Sequence, residues 1–288
     1  MQKLATKNFP REAYFKLIGI PANLTLKPSV ETLYFVVNKH AISFPYQNFH
    51  FHHKDRKALG MTLEALTERM IDQNVGGMCF ETNELMYYAL EHLGFNVSRV
   101  AAYALNGGEH NPATPSSHIF CHVEIDERRF LVDIGYGYNA IRYPLEFTFN
   151  KTEEVEITPY EKYKLVPFED HYVLYVWIKD EWYSFYRFEN PIKVIDESIA
   201  TGNYNTVIES PLFIPIRDKI LRAGRMTNEG RVGIYYEPKT RPFFAWKIDI
   251  QKGKSTKTDI HDYQTLQEEV EKIVGYKLPD QGVLRLDD

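Results

Sequence analysis

The chain has 288 residues, too many for one ordinary core, and its net charge of −5 leaves no basic excess to draw a nucleic acid. Hydrophobic residues at 44% and charged residues at 25% exclude disorder and membrane embedding. No early apolar run suits a signal segment, so Cys79 and Cys121, the only cysteines, are expected as free thiols in a reducing cytoplasm.

Residues 1–94 read as helical. Residues 8–18 carry Phe15, Leu17 and Ile18 ahead of Gly19, a short helix with its stop. Ser29 precedes Leu33, Val36, Val37 and His40 at helical spacing, and Pro45-Tyr46-Gln47-Asn48 then interrupts. His50, His52 and His53 fall in a stretch read as a loop, without a further ligand pattern for a metal. Thr62 caps a segment with Leu63, Leu66 and Met70 on one face. After Gly76-Gly77, Cys79 opens a helix whose stripe is Leu85, Met86, Ala89, Leu90 and Leu93, with Gly94 as terminator.

Over residues 95–188 the period changes to two. The runs VSRVAAYAL, HIFCHVEI, RFLVDIGYG, HYVLYVWI and EWYSFYRF predict strands, and their short connections predict an antiparallel sheet or barrel. Over residues 189–288, strands at RVGIYY and FFAWKIDI lead to a helix with Leu266, Val270, Ile273 and Val274 buried and Gly275 as its stop. The expected class is α+β.

Cys79 at a helix amino terminus is placed as a nucleophile would be, because the reactive species is the thiolate and the helix dipole favours it there. Such a thiol needs a histidine base, itself oriented by a third group. If Asp126-Glu127 is a two-residue turn, Ile125 faces Arg128 and Phe120 faces Asp133. His118 and Asp133 then share a face as diagonal neighbours, roughly 5 to 8 Å apart at their β-carbons. His122 shares that face and is the rival base; Cys121 points the other way, into the core.

These residues resemble the arylamine N-acetyltransferase family over most of the chain. The family's Arg-Gly-Gly-x-Cys-x-Glu-x-Asn is matched by Val75-Gly-Gly-Met-Cys79-Phe-Glu81-Thr-Asn83, and its Val-Asp-Val-Gly-Phe-Gly by Val132-Asp133-Ile-Gly135-Tyr136-Gly137. Ser117-His118-Ile-Phe resembles its histidine strand, and Pro45-Tyr46-Gln47-Asn48 its Pro-Phe-Glu-Asn. Gly202-Asn-Tyr204 and Ser210-Pro-Leu-Phe213 resemble its third-domain entry. The resemblance implies a helical domain, a β-barrel and an α/β lid around a cysteine-protease-like core, with Cys79, His118 and Asp133 as the catalytic triad. It implies acetyl transfer from acetyl-coenzyme A through a Cys79 thioester to a small arylamine or hydrazine, with no metal, nucleic acid or membrane partner. It points to Tyr46, Tyr136 and Ser117 for the acceptor, and to Thr114, Tyr204 and Ser210 for coenzyme A.

The chain departs from the family pattern at three places. Val75 replaces an arginine that could pair with Glu81, Gln47 replaces a glutamate, and Pro115 stands where some members have glycine near the coenzyme. Tyrosine at 46 and 136 adds hydroxyls that need partners if buried. The competing reading is a cysteine hydrolase or transglutaminase-like amide-exchange enzyme using the same triad.

Overall fold

The structure, a computed structural model, describes residues 8–54, 58–178, 180–213, 220–237 and 243–284; residues 1–7, part of the stretch read above for a signal segment, lie outside it. No helix among the described residues is long and apolar enough to cross a membrane.

The first helices are α1 (Arg11–Leu17) and α2 (Val30–Ser43), the latter begun by Ser29, whose Oγ accepts from Thr32 N at 3.2 Å. A two-residue strand, β1 (Tyr46–Gln47), and a 3-10 turn over Phe49–His52 follow. Phe51 and His52 are buried in that turn, which sequence read as a loop. Thr62 caps α3 (Leu63–Leu66), but the chain then widens into a π turn over Thr67–Asp72 instead of continuing as one α-helix. Inside that turn Arg69 donates to Leu59 O and Gly60 O at 2.8 and 2.9 Å, a tie to chain outside the helix that periodicity does not report. The next helix, α4 (Cys79–His92), buries almost every side chain, and Gly94 beyond it has φ 87°, a left-handed stop. A shared core joins α1, α2 and α4 to Cys121, Val123, Phe130 and Val132 of the following sheet.

That sheet is antiparallel and nearly closed into a barrel. Its strands are β2 (Asn96–Ala104), β3 (His118–Ile125), β4 (Arg128–Val132), β5 (Leu145–Phe147), β6 (Glu153–Thr158), β7 (Glu161–Pro167), β8 (His171–Ile178) and β9 (Glu181–Glu189). They run in the order β5-β4-β3-β2-β9-β8-β7-β6, and β10 (Val194–Ile195) pairs with β2. The interior is aromatic and aliphatic, including Phe120, Leu131, Tyr163, Tyr172, Tyr186 and Phe188. Strands β5 to β7 were not predicted, since β5 has three residues and β6 reads EEVEIT with glutamate at alternate exposed positions.

After α5 (Glu197–Glu209) come β11 (Leu221–Met226), β12 (Gly230–Tyr236), β13 (Ala245–Gln251) and β14 (Lys254–Ile260). With β1 they form a five-stranded antiparallel sheet in the order β1-β11-β12-β13-β14. The last helix, α6 (Tyr263–Val274), packs Leu266, Val270, Ile273 and Val274 onto this sheet and ends at Gly275, φ 72°. Thus β1, from the helical part of the sequence, completes the carboxy-terminal sheet, with Tyr46 opposite Gly224 and Gln47 opposite Ala223. Helices first, a near-closed barrel second and an α/β region last make up the expected α+β fold.

A buried ionic clasp joins barrel and carboxy-terminal sheet. Glu161 on β7 accepts from Arg142 at 2.8 Å and from Arg231 on β12, and Arg142 also donates to Thr227 O and Gly230 O at 2.7 and 2.9 Å. All three side chains are buried. Removing the central charge would leave two guanidinium groups facing each other away from water. Glu161→Gln is expected to lower the unfolding free energy by about 3–5 kcal/mol, the scale for breaking a buried pair, as read by urea denaturation.

Candidate active site

The loop before Cys79 lies against Pro45. Gly76 has φ 67°, and a Cβ there would stand 2.2 Å from Pro45 O, so the close approach requires glycine. Gly77 N donates to Pro45 O at 3.2 Å and Gln47 N to Gly77 O at 3.0 Å, which sets Tyr46 beside Gly77. Glu81 ties off the helix start: its Oε2 accepts from Met78 N at 2.9 Å, while Oε1 accepts from Arg69 at 2.8 Å and from Tyr204 Oη at 3.3 Å. Cys79 opens α4 half-buried. Cys121 is buried, its thiol directed to Asn83 O at 3.4 Å and its pKa pushed up by burial.

The β3–β4 hairpin turns on Asp126 and Glu127, with φ of 47° and 66°, and pairs Ile125 with Arg128 through to Cys121 with Val132. Carried one pair further, this register brings His118 and Asp133 to the same face. Nε2 of His118 is 2.8 Å from Asp133 Oδ2, and each side chain is 1% exposed. The other carboxylate oxygen accepts from Asn83 Nδ2 at 2.8 Å and Gly135 N at 3.0 Å. Asn83, one turn along α4 from Cys79, also donates to Ile119 O at 2.7 Å and accepts from Ile134 N at 3.0 Å. A Cβ at Gly135 would meet Asn83 Nδ2 at 2.6 Å and Cys79 Cα at 2.7 Å. The hairpin carrying histidine and acid therefore lies directly on the helix carrying the thiol.

Electrostatics follow from that contact. Burial alone would lower the His118 pKa, but the charge and hydrogen bond of Asp133, with a smaller contribution from Cys79, override it and raise it to about 10. For Asp133 burial acts upward and is overcome by His118, Asn83 and Gly135 N, which hold its pKa below the ordinary value. His118 is thus an imidazolium and Asp133 a carboxylate at neutral pH. Nδ1 of His118 is buried and makes no hydrogen bond among the described residues, although Cys79 is close enough to favour its protonated form. His122, the rival base, packs on Phe147, and burial lowers its pKa.

Tyr136 presents its ring edge-on to His118 at 5.1 Å, and its hydroxyl is turned away, 2.9 Å from Asn106 Oδ1 and 2.8 Å from Phe185 O. Tyr46 packs in the same cluster as Cys79. Ser117 directs its Oγ to Ala104 N at 3.0 Å, back into the sheet. Thr114 is half-buried in the loop before β3, and Ser210, half-buried at the end of α5, accepts from Leu212 N at 3.3 Å. Tyr204 corrects the sequence reading: it is fully buried, with its hydroxyl on Glu81, and offers no surface to a coenzyme. At Val75, where the family pattern has an arginine, Arg69 instead supplies the partner for Glu81. Gln47 turns its Oε1 to Phe49 N at 2.7 Å. Sequence reasoning quoted Asn83 without a role; its place four residues after Cys79 was the available signal. It missed Arg69 and Tyr186, whose ring lies 4.9 Å from that of His118.

A cleft of about 380 Å³ beside the 76–81 segment is lined by Gln47, His53, Arg69, Gly76, Glu81 and Tyr276 among others, and by none of the triad residues. No group of three or more His, Cys, Asp or Glu side chains is arranged to hold a metal ion among the described residues.

A sequence model of the N-acetyltransferase family matches residues 29–273, a span that contains Cys79, His118 and Asp133. The chain belongs to the arylamine N-acetyltransferase family. It is 30% identical to the arylamine N-acetyltransferase of Mycobacterium tuberculosis over 203 residues, 67% of this chain and 68% of that protein. To human arylamine N-acetyltransferase 1 it is 31% identical over 143 residues, 49% of this chain and 48% of the human protein. The chain thus spans about half the length of several curated arylamine N-acetyltransferases it matches. Its fold is similar to that of the Mycobacterium marinum arylamine N-acetyltransferase solved in complex with CoA, with a TM-score of 0.78 and 21% identity over 96% of this chain and 97% of that one.

In this arylamine N-acetyltransferase fold the acid controls the charge of the histidine. Asp133→Asn is expected to drop the His118 pKa, since burial is then opposed only by the smaller contribution of Cys79, leaving a neutral ring at pH 7. Alkylation of Cys79 by iodoacetamide at that pH should slow at least about tenfold, a factor of ten being one pKa unit. An unchanged rate would separate the carboxylate from thiol activation.

Proposed function

We propose that the chain transfers an acetyl group from acetyl-coenzyme A to an arylamine or hydrazine through a Cys79 thioester. The observation that carries this reading is the half-buried thiol at the start of α4 beside a histidine whose Nε2 is held by a buried carboxylate. The family supports it, and the M. marinum relative in complex with CoA supports coenzyme A as the carrier.

In the first step the Cys79 thiolate attacks the thioester carbonyl carbon. First-turn N–H groups of α4, which lack intrahelical acceptors, face the developing oxyanion. The carbon–sulfur bond to coenzyme A breaks, and the departing thiolate takes the proton from His118. In the second step the amine nitrogen attacks acetyl-Cys79. His118 accepts the ammonium proton as the cysteine sulfur leaves, which restores the thiolate–imidazolium pair. Asp133 fixes the ring throughout and stays ionised.

Tyr46 and Tyr136 are the proposed walls of the acceptor cleft, with Ser117 supporting the strand that holds His118. Thr114 and Ser210, both half-exposed, remain the candidates for contacts to the coenzyme. The chain divides on this reading at about residues 94 and 188 into the part bearing the nucleophile, the part bearing His118 and Asp133, and a lid. Free thiols and the carrier both fit the cytoplasm.

Mixing the protein with acetyl-coenzyme A should add one acetyl increment to its intact mass, discharged on adding an aniline and absent from Cys79→Ala. Turnover in Cys79→Ala should fall by roughly 10⁴ or more, the scale for loss of a covalent nucleophile. Release of acetate without transfer, or hydrolysis of amides, would return the site to the cysteine hydrolase reading.

A further inference from the structure

The cation that meets Glu81 reaches it from an unusual place. Position 75 holds valine, and the guanidinium comes instead from Arg69, inside the π turn over Thr67–Asp72. Such turns are rare and recur at functional sites. Backbone contacts fix this one on both sides. Val75 N donates to Arg69 O at 3.1 Å, while Arg69 Nη1 donates to Leu59 O at 2.8 Å and Nη2 to Gly60 O at 2.9 Å. Nη2 also donates to Glu81 Oε1 at 2.8 Å. The guanidinium is thus held against the carboxylate from the far side of the cleft that contains no triad residue.

Glu81 is only 2% exposed, and its charge sits where the nucleophile must form. Its Oε2 accepts at 2.9 Å from the N–H of Met78, the residue before Cys79, and a Cβ on Gly77 would stand 3.0 Å from that oxygen. A carboxylate at this end of α4 opposes a thiolate two residues away, as any like charge does. Arg69 is the cation paired with it among the described residues; Tyr204 Oη adds only a neutral donor, at 3.3 Å. Without the guanidinium the buried carboxyl group has two courses. Ionised, it repels the Cys79 thiolate; protonated, it is a weaker acceptor and loosens Met78 N, which leads into the first turn.

We infer that Arg69 is a positioning residue for Cys79: it neutralises Glu81, so that the carboxylate holds the amino end of α4 without opposing the thiolate. The inference rests on the proposed role of that thiolate as the acetyl carrier and names what keeps it reactive from behind. Arg69, Val75 and Glu81 line the same cleft of about 380 Å³. An arginine placed at position 75 therefore has open space from which to meet the same carboxylate.

The test measures alkylation of Cys79 by iodoacetamide at pH 7 and the single-turnover rate of its acetylation by acetyl-coenzyme A. Arg69→Gln is expected to slow both by about tenfold, the scale of a hydrogen bond to a charged group. The half-saturating concentration of acetyl-coenzyme A should stay unchanged, because Arg69 acts on the thiol and not on the donor. Arg69→Lys, which keeps the charge, should remain near the parent rates, and Val75→Arg added to Arg69→Gln should recover most of the loss. Unchanged alkylation in Arg69→Gln would overturn the proposal. So would Arg69→Lys and the double variant both being as slow as Arg69→Gln, since the guanidinium would then serve only its carbonyl contacts. Should Arg69→Gln not fold, Arg69→Lys and the double variant decide: parent rates in both support the proposal, and a tenfold loss in either overturns it. Alkylation needs no acetyl donor, so failure of acetyl transfer to every amine would sink the functional reading alone.

Discussion

A carboxylate with almost no exposure to water governs the rest of this site. Desolvation would force Asp133 to keep its proton unless charge and hydrogen bonds replaced the lost water. They do: His118 takes one oxygen, and Asn83 with Gly135 N takes the other. The cost of burying the acid is offset by the charge it maintains on the imidazole. A neutral ring would be no electrostatic partner for a thiolate.

The architecture serves that arrangement by bringing two backbones unusually close. Asn83 joins α4 to both strands of the hairpin through Ile119 O, Ile134 N and the Asp133 carboxylate, and Gly135 leaves no side chain between the hairpin and Cys79. Behind the nucleophile, Glu81 is tied to Met78 N and to Arg69, so the first turn of α4 is anchored independently of the barrel. The substitution of Val75 in the nucleophile motif is compensated by an arginine six positions earlier in sequence, reaching the same carboxylate from the π turn.

How far the sequence disclosed this depended on the range of each interaction. The hairpin was legible because a two-residue turn fixes a register, and a register fixes which side chains share a face. The helix at Cys79 was legible from its stripe and its terminal glycine. Strands β5 to β7 and helix α5 were not, being short, charged or weakly patterned. The joining of β1 to β11 is a contact between residues about 180 apart, which no local period encodes, so the place of β11 beside Tyr46 was invisible in the sequence. Tyr204 shows the opposite limit: a motif position read as a ligand contact is a buried support for Glu81.

The central claim is that Asp133 keeps His118 positively charged beside Cys79. Nitrogen NMR of the His118 imidazole across a pH titration tests it most directly. The account predicts two protonated ring nitrogens at pH 7 and well above it, with the ring titrating near the alkaline end of the range. A neutral His118 at pH 7, titrating at the ordinary imidazole value of about 6.5 or below, would contradict it.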